Sequence, residues 1–489
     1  MSKTNRFKAE LNAKLKQPVL LNKSGSLFTV LLFILALTLL IPSDTLPGGD
    51  AYDYQLLADS FCHEGSFSFT SFPNEMRGYF FPFLLFICRG ALAFASEKRF
   101  VLLGSIALCV CCLSFIYLLC DLKKLSLRRA AAGAAAIAVL ARLYWKDIIR
   151  YTLSDLYALM LIALAFAASK KAVSLALERF SFKSAAFSFA AGAALYAAYN
   201  TRTGALFILP VLPVVIIIAL RKNTRGAVSC LGFLLLGALL IAAPQMAINL
   251  RHLGSISPLV FADYSDGSLL LSQLNWGMAM QKYDTFLGLG TQLADNRMVY
   301  WDAEGAALLE ELAGGTIESY KEYAEVFFSA PFALILLYLR HTLNILTPLY
   351  NEVYVLNIYD VNAAFLYLNY AILFFSACFA LLKPLKTASK LESPAQKLFR
   401  RGFVFALLLC VAVYVPGAVE TRYAFPFIML SYIFLFFKAD FRSLLRQKKL
   451  AAACLAVWLA AGAGLWFYWN GLLSTLLALV GEAPVLRWF

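Results

Sequence analysis

Charge is scarce in this chain, and acidic charge scarcest: Asp and Glu number 29 against 43 Lys and Arg in 489 residues, with 3 histidines. Charged residues make up 15% and hydrophobic ones 61%, and mean hydropathy is +0.72. A water-soluble globule cannot cover that much apolar surface, so the solvent for most of the chain is a bilayer. The alternating pattern of an outer-membrane barrel is absent, which leaves helices, whose backbone groups are satisfied internally. Also missing are a Walker loop, a metal-ligand spacing and a nucleophile triad. No repeat of fixed period and no low-complexity tract occurs. No small-residue cleavage site follows Leu27 to Ile41, so this first apolar run reads as a retained span. The 10 cysteines fall mostly inside apolar runs and read as small apolar residues, with Cys62 the clearest candidate on the outside.

What is present is a surplus of positive charge, +14 in all. It does not point to nucleic acid, because the Lys and Arg residues sit in short clusters between apolar runs. That is the pattern of cytoplasmic loops facing anionic lipid. The basic residues of 1–26 place the N-terminus in the cytoplasm. Span one (27–42) then delivers an acidic stretch to the outer side. Counting 79–95 as a span would put Lys123, Lys124, Arg128 and Arg129 outside. We therefore read it as a re-entrant or surface-lying helix, and the first outer loop as 43–99. Spans follow at 100–120, 130–145, 152–168, 184–199, 204–220 and 228–246, with every basic cluster inside. By the same parity, 331–347 lies along the outer surface, 362–382 crosses, and 383–401 is cytoplasmic. Spans at 402–417, 424–437 and 450–469 follow, and 472–480 rests on the outer face. The expected fold class is an all-α integral membrane protein of about eleven transmembrane helices plus juxtamembrane helices on the outer face. The expected units are a basic N-terminus (1–26), a membrane module (27–246), a large outer loop with surface helices (247–361) and a C-terminal membrane module (362–489).

This topology gathers polar residues at one face: Asp50, Asp53, Glu75 and Arg77, then Lys146, Asp147, Arg150 and Asp155, then Arg202, Arg340, His341, Glu420 and Arg422. A carboxylate at the mouth of an apolar helix is costly to desolvate and needs a partner or a task. Guanidinium forks suit a phosphate, whose oxygens they bind in two places at once; a nearby carboxylate suits a general base. Simpler readings stand beside these. Asp50 after Gly48-Gly49 equally suits a helix N-cap, and Asp53 a solvated or pairing neighbour. Asp155 suits a cap at the start of its span. Arg202 and Arg422 suit snorkelling to headgroups, and His341 suits a structural role.

Four segments together resemble the GT-C superfamily of integral membrane glycosyltransferases, especially its protein O-mannosyltransferase and aminoarabinose transferase branch. Gly49-Asp50-Ala51-Tyr52-Asp53-Tyr54, after the first span, resembles the family's acidic motif with an aromatic four residues later. Arg77-Gly78-Tyr79-Phe80-Phe81-Pro82, with Ser96-Glu97-Lys98-Arg99 before the next span, resembles the return of that loop to the membrane. Glu420-Thr421-Arg422-Tyr423-Ala424-Phe425-Pro426 resembles the late Arg-Tyr-x-x-Pro segment, and Asn200-Thr201-Arg202-Thr203-Gly204 the Arg at the top of span six. Two departures stand out. The aminoarabinose branch carries Lys-Pro-Pro where this chain has Arg77 and a single Pro82. The oligosaccharyltransferase branch has a large soluble C-terminal domain and a metal-binding acidic pair, neither of which is expected here.

The resemblance implies transfer of a monosaccharide from a polyprenyl-phosphate donor to an acceptor hydroxyl of a glycan, lipid or protein on the outer face. It implies inversion and no cofactor or divalent metal. Asp50 is the implied base, with Asp53 and Asp155 the alternatives. Arg77, Arg202 and Arg422, with Arg340 and His341, are candidates for the donor phosphate, and Tyr54, Glu75 and Tyr423 for the sugar or acceptor. Trp276 and Trp301 in the large loop are candidates to stack on a sugar face. A bacterial inner membrane, an undecaprenyl carrier, and cooperation with a polyprenyl-phosphate glycosyltransferase and a flippase follow from the same resemblance. Two other classes remain open. A flippase or transporter of lipid-linked sugar needs its charges along a central pathway, and a sugar-polymer ligase or polymerase needs a pyrophosphate-linked oligosaccharide donor.

Overall fold

A computed structural model describes residues 23–43, 49–63, 65–73, 76–120, 125, 127–261, 263–264, 267–287, 297–357, 360–382 and 393–478. Glu75, Lys123, Lys124 and most of the expected basic segments 1–26 and 383–401 lie outside the described residues. The protein is an all-α membrane protein with a few short strands. Among the described residues, five helices are long and apolar enough to cross a bilayer: Arg99–Leu119, Ser154–Glu178, Thr224–Leu253, Ala363–Leu381 and Lys448–Leu473. The remaining expected spans lie in shorter, broken or less apolar helices. Lys23–Thr38 has 16 residues and Leu127–Leu143 has 17, much of it alanine. The run 204–220 is broken into a tight turn, Thr203–Ile208, and the helix Val211–Ala219. Pro210, which lacks a backbone donor, stands at the break, and Pro213 falls in the first turn of the second helix, where a missing donor is tolerated.

The run 79–95 forms the helix Phe80–Ala91, of 12 residues. At about 1.5 Å per residue it is too short for a hydrocarbon core of about 30 Å. Tyr320–Ser329 and Pro331–Ile345 meet at 104°, a bend set at Pro331 that turns Leu334, Leu337, His341 and Ile345 into the protein.

The bundle centre is the helix Ser154–Glu178, packed between Arg99–Leu119 and Phe182–Thr201. Phe182–Thr201 in turn lies along Thr224–Leu253 at very close range. A Cβ on Gly192 would stand 1.7 Å from the Leu234 carbonyl oxygen. Without a hydrophobic drive between helices in lipid, such small residues let backbones approach and dispersion forces act. The far face of Thr224–Leu253 carries exposed Val228, Leu235, Leu236, Leu239 and Leu240, an apolar wall turned to lipid. Cys109, Cys111, Cys112, Cys230, Cys410 and Cys454 are buried and Cys62 is exposed.

One feature has no sequence signal: a small four-stranded sheet at the end of the bundle that holds Asp50. Its order is Tyr354–Val355, Met280–Phe286, Arg297–Trp301, Leu476–Ala478, the first pair parallel and the others antiparallel. The strands come from three distant parts of the chain. Only Met280–Phe286 reaches 7 residues, and it carries Lys282 and Asp284, two apart on one face and paired at 3.0 Å. Leu476–Ala478, within the run 472–480, forms the edge strand beside Arg297–Trp301.

Candidate active site

Asp50 occupies the first turn of the helix Gly49–Asp59, in the first loop. Gly49 enters it at φ +52°, a left-handed conformation that glycine adopts without strain. A carboxylate there also faces the positive end of the helix dipole. Ala51, Tyr54, Leu57 and Ala58 form the buried face of the helix. Two bonds at Ala51 fix its start: its N–H donates to Tyr354 Oη (3.2 Å), and its carbonyl accepts from Thr152 Oγ1 (2.6 Å).

Asp50 is bridged by two arginines that are remote in sequence. Arg77 Nη2 donates to Oδ1 at 2.6 Å, and Arg422 Nη2 donates to Oδ2 at 2.6 Å. Arg422 also donates through Nε to Glu420 Oε2 at 2.6 Å. Arg77 reaches Tyr54 Oη at 3.3 Å and lies within 3.6 Å of Asp53. Arg202 pairs with Asp155 at 2.5 Å and donates through Nε to Tyr414 Oη at 2.9 Å. Its guanidinium lies 5.0 Å from the centre of the Tyr423 ring, and that of Arg422 lies 5.8 Å from the same ring. Tyr423 thus joins the two charge clusters into one. Asp50 keeps 29% of its side chain exposed, whereas Arg422 keeps 8% and Glu420 2%. Of these three, the carboxylate of Asp50 is the most open.

The cluster is held from two sides. Asn200, buried two residues before Arg202, accepts from the Phe80 N–H at 2.7 Å and donates to Gln245 Oε1 at 2.9 Å. Gln245 donates to Asn249, which donates to the carbonyls of Ser257 and Leu259. This buried amide chain ties the segment that carries Arg77 to the end of the helix that carries Arg202. Gly78 allows it, since a Cβ there would stand 1.9 Å from the Asn200 carbonyl oxygen. Gly78→Ala is therefore expected to cost roughly 1–3 kcal/mol by overpacking, read as a lower melting temperature in detergent. On the other side the sheet clamps the Arg422 loop. Tyr283 donates its N–H to the Val419 carbonyl (2.9 Å), its hydroxyl meets that of Tyr423 (2.7 Å), and Thr285 donates to Glu420 (3.4 Å).

Burial pushes the Asp50 carboxyl up, but the Arg422 and Arg77 guanidiniums outweigh it and hold it well below the usual range. Burial pushes Glu420 up despite Arg422. Because the folded-state value of Asp50 lies below its ordinary 3.8, its ion pairs add stability everywhere above that value. The contribution is lost only as the pH falls below it. The stability gap between wild type and Asp50→Asn is therefore expected to stay flat from roughly pH 8 to 5 and to close in stronger acid. Thermal melts of the two proteins across that range check this.

Of the residues expected from sequence, the structure brings together Asp50, Asp53, Asp155, Arg77, Arg202, Arg422, Tyr54 and Tyr423. It does not bring Arg340 and His341 to them. Arg340 pairs with Asp302 (2.9 Å) and Glu304 (3.2 Å). His341 is buried, with its two ring nitrogens against the carbonyl oxygens of Val415 (2.6 Å) and Met280 (2.9 Å). Trp301 ends a strand, with its N–H on the Thr475 carbonyl. Tyr414, Tyr283 and Ser154, the last 3.1 Å from Tyr54 Oη, are added by the fold. Nothing in the sequence marks them, because each joins the cluster only through tertiary contacts. Among the described residues no group of three or more His, Cys, Asp or Glu side chains is placed to hold a metal ion.

No family model matches the chain, and no curated protein matches it. Among solved structures it is similar to the archaeal oligosaccharyltransferase AglB from Archaeoglobus fulgidus, described in complex with an inhibitory peptide and a dolichol-phosphate. The match covers 90% of this chain and 54% of that one, at 14% identity and a TM-score of 0.40. This chain thus spans about half the length of AglB, and a likeness at that level carries no argument about the site.

Proposed function

We propose that this membrane protein is an inverting glycosyltransferase. It moves a monosaccharide from a polyprenyl phosphate to an acceptor hydroxyl on the extracytoplasmic face of a bacterial inner membrane. The observation that carries this reading is the Asp50 carboxylate, part-exposed and bridged at 2.6 Å on each oxygen by Arg77 and Arg422, with Arg202 beside them. A carboxylate among three arginines is a base next to an anion site.

In the reaction the acceptor oxygen attacks the anomeric carbon as its proton passes to Asp50. The bond from that carbon to the phosphate oxygen breaks, and the phosphate leaves with the electron pair. Its growing charge falls on Arg77, Arg422 and Arg202, already in place and held by their ion pairs. A carboxylate so strongly paired is a weak base in the free protein. A bound phosphate draws on the same guanidinium hydrogens, which raises Asp50 toward its ordinary basicity when it is needed. Asp155 and Asp53 then act as partners that orient Arg202 and Arg77, and Tyr423 and Tyr54 as walls of the site. Supply of such a donor at the outer face requires a polyprenyl-phosphate glycosyltransferase and a flippase.

The test is donor turnover. The purified protein in nanodiscs is incubated with a panel of polyprenyl-phosphate monosaccharides and a glycan extract, and free polyprenyl phosphate is followed by mass spectrometry. Release from at least one donor is expected. Silence with every donor, while a pyrophosphate-linked oligosaccharide is consumed, would replace the reading with a ligase or polymerase.

A further inference from the structure

Beside the ion pair of Arg202 and Asp155 the structure leaves a small cavity of about 30 Å³, room for roughly two waters. Asp155, Ala158 and Ile162 line it from the helix Ser154–Glu178. Their i, i+3 and i+7 spacing sets them on one face. Tyr414 and Tyr423, stacked with ring centres 4.5 Å apart, form a further part of the wall. Arg202 and Tyr423 belong both to this cavity and to the group around Asp50. The centre of the Tyr423 ring lies 5.0 Å from the Arg202 guanidinium and 5.8 Å from that of Arg422. The cavity is a side chamber of the candidate active site.

One residue of its lining has an atom without a partner. Asp155 is 6% exposed, and its Oδ1 pairs with Arg202 Nη1 at 2.5 Å. Its Oδ2 is buried, and among the described residues no hydrogen-bond donor reaches it. An ionised carboxylate oxygen only accepts, and a buried acceptor left unpaired costs about 1–3 kcal/mol, more when charged. A hydroxyl relieves it: it donates, and it is small enough for the space. Arg202 stands on the other oxygen, ready for a phosphate, so the hydroxyl in reach is one close to the phosphate of the same molecule. In a glycosyl phosphate that is the 2-hydroxyl, on the carbon next to the anomeric centre. We propose that the cavity takes the 2-hydroxyl edge of the donor sugar and that Asp155 Oδ2 accepts its hydrogen bond. The donor is then a sugar with a free 2-hydroxyl. A 2-deoxy sugar leaves the oxygen unpaired, and a 2-acetamido group is too large for the space. This specificity rests on the transferase reading, which supplies the phosphate-linked sugar.

The test is a binding comparison without acceptor, in nanodiscs of neutral lipid. The ligands are bare polyprenyl phosphate and polyprenyl phosphates carrying glucose, galactose or arabinose, each beside its 2-deoxy counterpart, with the two matching 2-acetamido hexoses. For at least one sugar, wild type should bind the 2-hydroxyl form tenfold or more tighter than the 2-deoxy form, and tighter than any 2-acetamido form. In Asp155→Leu that ratio should fall to about one. Any loss through Arg202 weakens both ligands alike and cancels in the ratio. Ala158→Val fills the cavity and leaves the ion pair in place, so it should erase the preference while bare polyprenyl phosphate binds as to wild type. Equal binding of 2-hydroxyl and 2-deoxy forms by wild type would mean that the cavity holds water only, and would overturn the proposal. So would a preference for 2-acetamido sugars, or a 2-hydroxyl preference that survives in both variants. In each of these cases binding of bare polyprenyl phosphate leaves the transferase reading standing. Failure of wild type to bind any of these lipids would overturn that reading, and this proposal with it.

Discussion

Asp50→Asn is expected to slow release of polyprenyl phosphate by roughly 10²- to 10⁴-fold, the span that a positioned general base contributes. The substitution keeps the shape and one acceptor oxygen and removes only the charge and the basicity. It should leave the protein folded. Arg422 retains Glu420 at 2.6 Å, Arg77 retains Tyr54 at 3.3 Å, and the helix start is fixed through Ala51. The split between kinetic parameters matters as much as the size. With the carboxylate gone, both guanidiniums are freer to hold phosphate, so donor affinity should stay constant or rise while turnover collapses. A variant that lost affinity and turnover together would mark Asp50 as a structural partner of the arginines.

Arg422→Ala carries the largest combined effect. Its guanidinium holds Asp50 and Glu420 at once, and Glu420 is almost wholly buried. Removing one partner of a buried pair costs about 3–5 kcal/mol, because a charge is left without compensation. Losing a preorganised charge at the leaving group costs a further 10²- to 10³-fold in rate, on the order of a lost oxyanion-hole donor. The two effects separate in a double variant. Arg422→Ala with Glu420→Gln removes the orphaned carboxylate, so the melting temperature should recover while turnover does not. Arg422→Lys should fall between the two, since an ammonium group cannot present a planar fork to both carboxylates.

The members of the cluster were visible in the sequence for a physical reason. An Asp after two glycines at the end of an apolar run, and arginines at the ends of others, are too costly to sit there without a purpose. What the sequence did not carry was who meets whom. Asp50 finds one arginine 27 residues away and another 372 away, and no periodicity encodes the second distance. Arg340 and His341 show the converse. They looked anomalous inside an apolar run, and the fold resolves them locally. His341 is placed between the carbonyl oxygens of Val415 and Met280, and Arg340 is placed on Asp302. The Met280 carbonyl belongs to the small sheet, whose strands are too short and too polar to announce themselves. Length and hydropathy likewise marked the long helices, whereas Pro210 turned one expected span into two pieces.

The most direct test of the central claim is the affinity of the unglycosylated leaving group. Polyprenyl phosphate is titrated into wild-type protein and into Arg77→Ala, Arg202→Ala, Arg422→Ala and Arg340→Ala, all in nanodiscs of neutral lipid. The account predicts that each of the first three weakens binding by about tenfold or more, the ratio that about 1.4 kcal/mol produces. Arg340→Ala, outside the cluster, should bind as wild type does. Equal binding by all five proteins, or a loss as large in Arg340→Ala as in Arg422→Ala, would contradict it.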